Sequence, residues 1–158
     1  MISISIITIS DRCSRKEAED QSGKYLIEAL KKSGFNLGKY IIIPDEEEII
    51  IKNLKEITDN KLSNVIITTG GTGISPRDVT PEATKKVIEK ELYGISEYIR
   101  AESAKKNKKA LLSRMVSGVR GECLIINFPG SLNAVKECFD LISDIIPHAI
   151  DMIAGKGH

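Results

Sequence analysis

Val65-Ile66-Ile67-Thr68-Thr69-Gly70-Gly71-Thr72-Gly73-Ile74-Ser75-Pro76-Arg77-Asp78-Val79-Thr80-Pro81-Glu82 combines a buried-strand signal, a glycine turn and a helix start in one unbroken stretch. The three glycines Gly70, Gly71 and Gly73 let the backbone take φ > 0 and bring its amides close to a ligand. The helix expected from Thr80-Pro81 adds the positive end of its dipole, so the loop suits an anion. Asp78 would repel a bare anion there, which argues for phosphate bound together with a divalent cation, usually Mg²⁺. The competing account is an ordinary strand-to-helix turn with Asp78 near the helix start. Two familiar nucleotide loops fit poorly. No Gly-Lys-Ser/Thr closes the turn as in a P-loop, and Pro76 stands where the third glycine of a dinucleotide fingerprint belongs.

Outward from this stretch, strand and helix patterns alternate. Ile2 to Ile9 reads as a strand with period-two alternation, without the basic start of a signal peptide. Ser22 to Ser33 reads as a helix stopped by Gly34, and Tyr40 to Ile43 as a second strand. Ile49, Ile50, Leu54 and Ile57 form the apolar stripe of a helix ending near Asn60. Val65 to Thr69 is the third strand, followed by the glycine loop and a helix from Pro81 to about Lys90. Glu97 to about Lys106 predicts another helix, and Arg114 to Val119 with Glu122 to Asn127 two strands turning at Arg120-Gly121. A last helix starts after Pro129-Gly130-Ser131 and runs to about Ala154, kinked or split by Pro147. This order predicts a single α/β domain over residues 1–158, a three-layer α/β/α sandwich around a mostly parallel central sheet.

Composition narrows the function. The chain has 158 residues, and 23 Lys plus Arg stand against 22 Asp plus Glu, so it offers no overall basic footprint for nucleic acid. The one basic run, Lys105-Lys106-Asn107-Lys108-Lys109, lacks interleaved aromatics to stack a base and reads as a solvated segment. Cys13, Cys123 and Cys138 form no CxxC pair, which suits a reducing cytoplasm, and nothing approaches a membrane span. Four polar clusters fall at the carboxyl ends of the expected strands, where open α/β sheets bind ligands. They are Ser10-Asp11-Arg12, Pro44-Asp45, Gly70 to Asp78, and Asn127-Phe128-Pro129-Gly130-Ser131. Asp45 also has a purely structural account, as a helix N-cap with Glu48 closing a capping box.

Taken together with Leu112-Ser113-Arg114, these blocks resemble the MogA/MoaB family of molybdenum-cofactor biosynthesis proteins along essentially the whole chain. Thr-Gly-Gly-Thr-Gly followed by Pro-Arg-Asp-Val-Thr-Pro-Glu-Ala carries the resemblance most specifically. One departure is Ser131-Leu132, where many members carry a second proline two residues past the glycine. The resemblance implies a three-layer α/β/α fold, a homotrimer and, in the MogA-like branch that retains Asp45 and Arg77-Asp78, transfer of AMP from Mg-ATP to the terminal phosphate of molybdopterin. It also implies handover to a molybdenum-inserting protein. A non-adenylylating pterin-binding relative and a scaffold module of the same fold are the alternatives. The short chain, reaching only Gly155-Lys156-Gly157-His158 beyond its last helix, and its two carboxylates beside an anion loop favour the enzyme.

On this reading Asp45 and Asp78 hold Mg²⁺ and position phosphate. Gly70, Gly71, Thr72 and Gly73 cradle phosphate, of either the pterin or the nucleotide. Ser10, Asp11, Ser113, Asn127, Pro129, Gly130 and Ser131 contact pterin or adenine, and the available cations are Arg12, Arg77, Arg114 and Arg120. A phosphate monoester nucleophile is already largely ionised, with a second pKa of about 6, so no general base is required. His148 and His158 stand beside no motif, and His148 reads as a surface or packing residue of the last helix.

Overall fold

A computed structural model describes residues 1–156 and contains a six-stranded sheet of order β2-β1-β3-β6-β5-β4. The strands are β1 (Ser3–Ile9), β2 (Asn36–Ile43), β3 (Val65–Thr69), β4 (Lys90–Glu91), β5 (Ser117–Arg120) and β6 (Cys123–Phe128). β2, β1, β3 and β6 pair in parallel, while β5 and β4 continue the sheet antiparallel to β6. The helices are α1 (Asp11–Ser14), α2 (Gln21–Lys32), α3 (Glu47–Asp59), α4 (Thr80–Lys85), α5 (Tyr93–Lys106), α6 (Leu132–Ile142) and α7 (Ile146–Ile153).

The three layers follow from side-chain alternation along the central strands. Ile4 and Ile6 of β1, with Val65 and Ile67 of β3, bury one face beneath α2, α5, α6 and α7 through Leu26, Ile99, Phe139 and Ile146. Ile7, Ile9 and Ile66 bury the other face beneath α3 and α4 through Ile50, Leu54, Ile57 and Ala83. Both faces are apolar, so β3 reads as a continuous run, all five residues of it buried.

Several boundaries differ from the sequence reading. β2 begins at Asn36 and not at Tyr40, because Asn36 and Leu37 already pair with Ser3 and Ile4. α4 stops at Lys85, and Lys90–Glu91 forms an edge strand, so the expected helix to Lys90 is two elements. α5 begins at Tyr93 instead of Glu97, and a 3₁₀ turn at Lys108–Leu112 follows it. α1 leaves no trace in the periodicity, being a single turn capped when the Ser10 hydroxyl accepts from the Cys13 amide. β5 starts at Ser117, not Arg114. The last helix does split, but at 143–145, with Pro147 placed in the first turn of α7 where its missing N–H costs nothing. His148 is an exposed residue of α7, and His158 lies outside the described residues.

Asn127 ties the two halves of the sheet to α4. Fully buried, it donates from Nδ2 to the Thr68 and Thr84 hydroxyls at 2.9 and 3.0 Å and accepts the Val116 amide at 3.1 Å. Asn127→Ala leaves that amide and both hydroxyls without their partner in a water-free site. The expected loss is about 2–4 kcal/mol of unfolding free energy, read from a urea titration; a loss under about 1 kcal/mol would mean the network is not held in solution.

Candidate active site

The loops at the carboxyl ends of β1, β2, β3 and β6 meet on one edge of the sheet. Gly70 and Gly71 have φ of 101° and 66°, so the strand leaves its plane through a turn that L side chains resist. A Cβ on Gly70 would stand 2.2 Å from the Ile9 carbonyl oxygen. On Gly71 it would stand 2.3 Å from Thr80 Oγ1 and 3.0 Å from Asp45 Oδ1. The absence of side chains at these positions is what brings the Asp45 carboxylate against the loop. The helix start is stitched back to the same turn, Thr80 donating from its amide to the Gly71 carbonyl and from its hydroxyl to the Gly70 carbonyl. α4 is only six residues long, so the dipole invoked from the sequence is a small contribution.

A groove of about 380 Å³ opens beside this turn. Among the expected residues it is lined by Ser10, Asp45, Gly70, Gly71, Asp78 and Gly130, joined by Glu19 and Asp20. No lysine or arginine lines it. Asp45 does not cap α3: the cap position is Glu46, without a side-chain bond. Instead the β1 and β2 loops interlock, Asp45 Oδ2 accepting the Asp11 amide at 2.9 Å and Asp11 Oδ1 accepting the Asp45 amide at 3.1 Å. Asp78 accepts the Ser75 amide at 2.9 Å and so shapes the end of the glycine loop.

Arg77 grips Asp11 with two bonds of 2.9 and 3.0 Å and reaches Glu46 at 3.0 Å, forming an exposed clasp on the rim. This guanidinium holds the Asp11 carboxyl below the usual range. Asp45 is pushed the opposite way, first by burial and then by the charges of Asp11 and Asp78. The groove thus carries carboxylates at Asp45 and Asp78 that the rim cation Arg77, spent on Asp11 and Glu46, does not pair with.

The donor set suits a hard divalent cation. Carboxylates from Asp45 and Asp78 approach from two loops, yet no group of three or more His, Cys, Asp or Glu among the described residues is arranged to hold a metal alone. Mg²⁺ held by two carboxylates and completed by water and phosphate oxygens is the mode that fits.

Other expected residues lie elsewhere. Ser113, Pro129 and Ser131 line a second groove of about 460 Å³, with Arg100, Asn107, Lys109 and Met115. The loop from Pro129 to Leu132 therefore has one groove on each side. Thr72 is buried, and its Oγ1 accepts the Ser113 hydroxyl at 3.3 Å instead of facing Asp45. Gly73 presents its carbonyl to Arg114 Nε at 2.7 Å. Arg114 also donates to the Asp78 carbonyl at 2.8 Å and pairs with Glu82, so it braces the glycine loop from behind and is not a free ligand cation. The Gly70 amide is spent on the Phe128 carbonyl at 3.0 Å, leaving Gly71 as the nearer donor of the turn. Asn127 is a buried brace and reaches neither groove. Arg12 is exposed on α1, and Arg120 pairs with Asp59 beside the β5–β6 turn, at the opposite edge of the sheet.

Asp20, Ser22 and Arg100 join the site without having been singled out by the sequence reading. The signal for the first two was Asp20-Gln21-Ser22-Gly23, a helix-capping sequence whose helix start falls on the ligand edge of the sheet. Arg100 gave none, since it sits inside a helical segment and donates to the Ser113 and Met115 carbonyls.

The Asp45 environment gives a signed expectation. A carboxyl whose folded pKa is raised contributes stability that is present in acid and lost as pH rises through that value, so the ionised group costs stability at pH 7. Asp45→Asn retains an acceptor for the Asp11 amide and removes the disfavoured charge. Its melting temperature at pH 7 should equal or exceed the parent's, with the gap closing as pH falls below the carboxylate range. A clear drop at pH 7 would make the charge itself structural.

Comparison with known proteins agrees with this fold. The family model described as "Probable molybdopterin binding domain" matches residues 5–148. The chain is 45% identical over 155 residues to the molybdenum cofactor synthesis protein cinnamon of Drosophila melanogaster, covering 96% of this chain but only 26% of that protein. It is 41% identical over 157 residues to a molybdopterin adenylyltransferase of Helicobacter pylori, covering 98% of this chain and 89% of that one. Among solved structures, the molybdopterin biosynthesis enzyme MoaB of Thermus thermophilus superposes with a TM-score of 0.92 at 38% identity, covering 99% of this chain and 98% of the other.

Proposed function

This chain belongs to the MogA/MoaB family of molybdopterin-binding proteins, and on that premise we propose that it acts in molybdenum-cofactor biosynthesis as a molybdopterin adenylyltransferase. The observation that carries the proposal is Asp45. It is half-buried, relieved of helix capping, and set beside Asp78 and the Gly71 turn in a groove without cations. Bare phosphate is repelled by such a groove, whereas a nucleotide triphosphate arriving with its metal is attracted. The second groove, with Arg100 and Lys109 against Glu137, favours the metal-free anion, the pterin phosphate. The two substrates then meet across the Pro129–Ser131 loop.

In the reaction, an oxygen of the molybdopterin phosphate attacks the α-phosphorus of ATP. The new P–O bond forms as the bond to the β-phosphate bridging oxygen breaks, and pyrophosphate leaves with the electron pair. Since the nucleophile is already ionised, no side chain need remove a proton, and among the described residues no histidine lines either groove. Asp45 and Asp78 would hold Mg²⁺, which supplies neutralisation of the charge that accumulates on the triphosphate. The Gly71 turn orients the phosphates, and Arg114 keeps that turn in place through the Gly73 and Asp78 carbonyls. The three cysteines are free, consistent with action in the cytoplasm. No helix among the described residues is long and apolar enough to cross a membrane. A homotrimer and a handover to a molybdenum-inserting protein belong to the same proposal; exposed Tyr93 and Leu111, lining one further groove, offer apolar surface for subunit contact.

Incubation with molybdopterin and Mg-ATP should yield pyrophosphate and adenylylated pterin in equal amounts. Binding of molybdopterin without either product would instead mark a non-adenylylating relative. Asp45→Asn should lower turnover at least roughly tenfold, equal to about 1.4 kcal/mol of transition-state stabilisation. Asp78→Ala should do the same with little change in melting temperature, as its carboxylate supports one exposed turn and no core contact. Near-parental turnover of either variant at saturating Mg²⁺ would remove that residue from the site.

A further inference from the structure

The Pro129–Ser131 loop can divide two substrate grooves only if it is held at a fixed distance from the Gly70 turn. Gly130 approaches Gly70 so closely that a Cβ on Gly130 would lie 3.3 Å from Gly70 Cα. From the other side, Ser22 Oγ donates to the Gly130 carbonyl at 2.8 Å across 108 residues of sequence. Ser22 is buried, 6% exposed, while Gly130 lies at the surface, so the bond itself is half-buried.

Ser22 is itself rigidly placed. Asp20 caps α2 by accepting the Gly23 amide at 2.8 Å, and its other oxygen accepts the Thr8 hydroxyl at 2.5 Å and the Tyr40 hydroxyl at 2.7 Å. One carboxylate thereby joins α2, β1 and β2. Gly23 completes the knot, since a Cβ there would stand 2.1 Å from Asp20 Oδ2 and 2.8 Å from both Thr8 Oγ1 and the Tyr40 ring. Burial and the Asp20 charge push the Tyr40 hydroxyl well above its ordinary pKa, which keeps it a donor. The first turn of α2 cannot shift without breaking contacts to both strands, and the Ser22 hydroxyl is carried on that turn.

We infer that Ser22, anchored by the Asp20 knot, is a positioning residue that sets the Pro129–Ser131 partition against the Gly70–Gly71 turn and so fixes the distance between the two bound substrates. The inference rests on the adenylyl-transfer reading for its kinetic consequence, and on the structure alone for its geometric one. Ser22 touches neither reacting phosphate on this account. Ser22 is part of the wall of the first groove, but its hydroxyl is spent on the Gly130 carbonyl, so its loss should chiefly spoil the mutual placement of the substrates.

The test is Ser22→Ala, a substitution that removes one hydroxyl and adds no bulk. At saturating molybdopterin and Mg-ATP, and well below the melting temperature, kcat should fall at least roughly fivefold while both KM values stay within about twofold. In the substrate-free protein, the amide resonances of Gly70, Gly71 and Gly130 should shift, whereas those of Lys61 and Gly121 at the far edge should not. A merely structural hydroxyl would lower the melting temperature and leave kcat and the Gly70 resonance unmoved. Either an unchanged kcat or an unshifted Gly70 resonance overturns the inference. Should the parent protein itself transfer no adenylyl group, the functional reading falls, and the glycine resonances alone decide the positioning role.

Discussion

The close packing of Gly70 between three other chain segments is the constraint on which the edge of this sheet depends. Its Cα faces the Ile9 carbonyl on one side and Gly130 on another, its amide is taken by Phe128, and its carbonyl by the Thr80 hydroxyl. A side chain there would run into the Ile9 carbonyl and push β3 away from β1. Glycine carries an entropic cost in such a place, roughly 0.5–1 kcal/mol relative to alanine in regular structure. The φ of 101° and the 2.2 Å approach to the Ile9 carbonyl disfavour any other residue. Around Gly70 the loops after β1, β3 and β6 come together.

Electrostatics then separates two kinds of polar residue on that edge. Exposed ion pairs such as Arg77–Glu46 and Lys61–Glu122 are screened by water and mainly shape the surface. Arg77 has a sharper effect through Asp11, because the two-pronged bond cancels one negative charge beside Asp45 but leaves Asp45 in its desolvated position. The protein thus holds a carboxylate whose ionised form is less favourable than in water, through its burial and the neighbouring carboxylates. That is an energetic cost of folding, and perturbed groups of this kind cluster at sites that take charged ligands.

The layered α/β/α fold was legible because both of its signals are local. Period-two and continuous apolar runs gave the strands, and i, i+3, i+4 stripes such as Ile50, Leu54 and Ile57 gave the helices. What escaped was set by pairing and by short-range turns. Lys90–Glu91 is a strand only because Val119 and Gly118 lie opposite, and α1 is a helix only because Ser10 caps one turn. The site was legible in outline for the same reason: position at the carboxyl edge follows from topology. Its internal division was not. Thr72 and Gly73 share the loop of Asp78, Arg114 precedes β5 and Asn127 lies in β6, and nothing in their spacing tells that their polar atoms point inward.

Unspent bonding capacity is what distinguishes the residues that face a ligand from those that build the site. Asn127 uses both of its amide donors and its acceptor on protein partners, and Arg114 spends its guanidinium on two carbonyls and Glu82. Such residues serve the architecture and have nothing left to offer. Asp45 accepts one amide through Oδ2 and turns Oδ1 toward the Gly71 turn, and Asp78 accepts one amide through Oδ2. A carboxylate has about four lone-pair positions, so each retains most of its capacity in a groove that water or a metal-bound phosphate can enter. Residue type alone places Asp45, Asp78, Arg114 and Asn127 in one group of polar candidates. Counting what each has already spent divides that group, and Asp45 and Asp78 are the two with bonding capacity to spare.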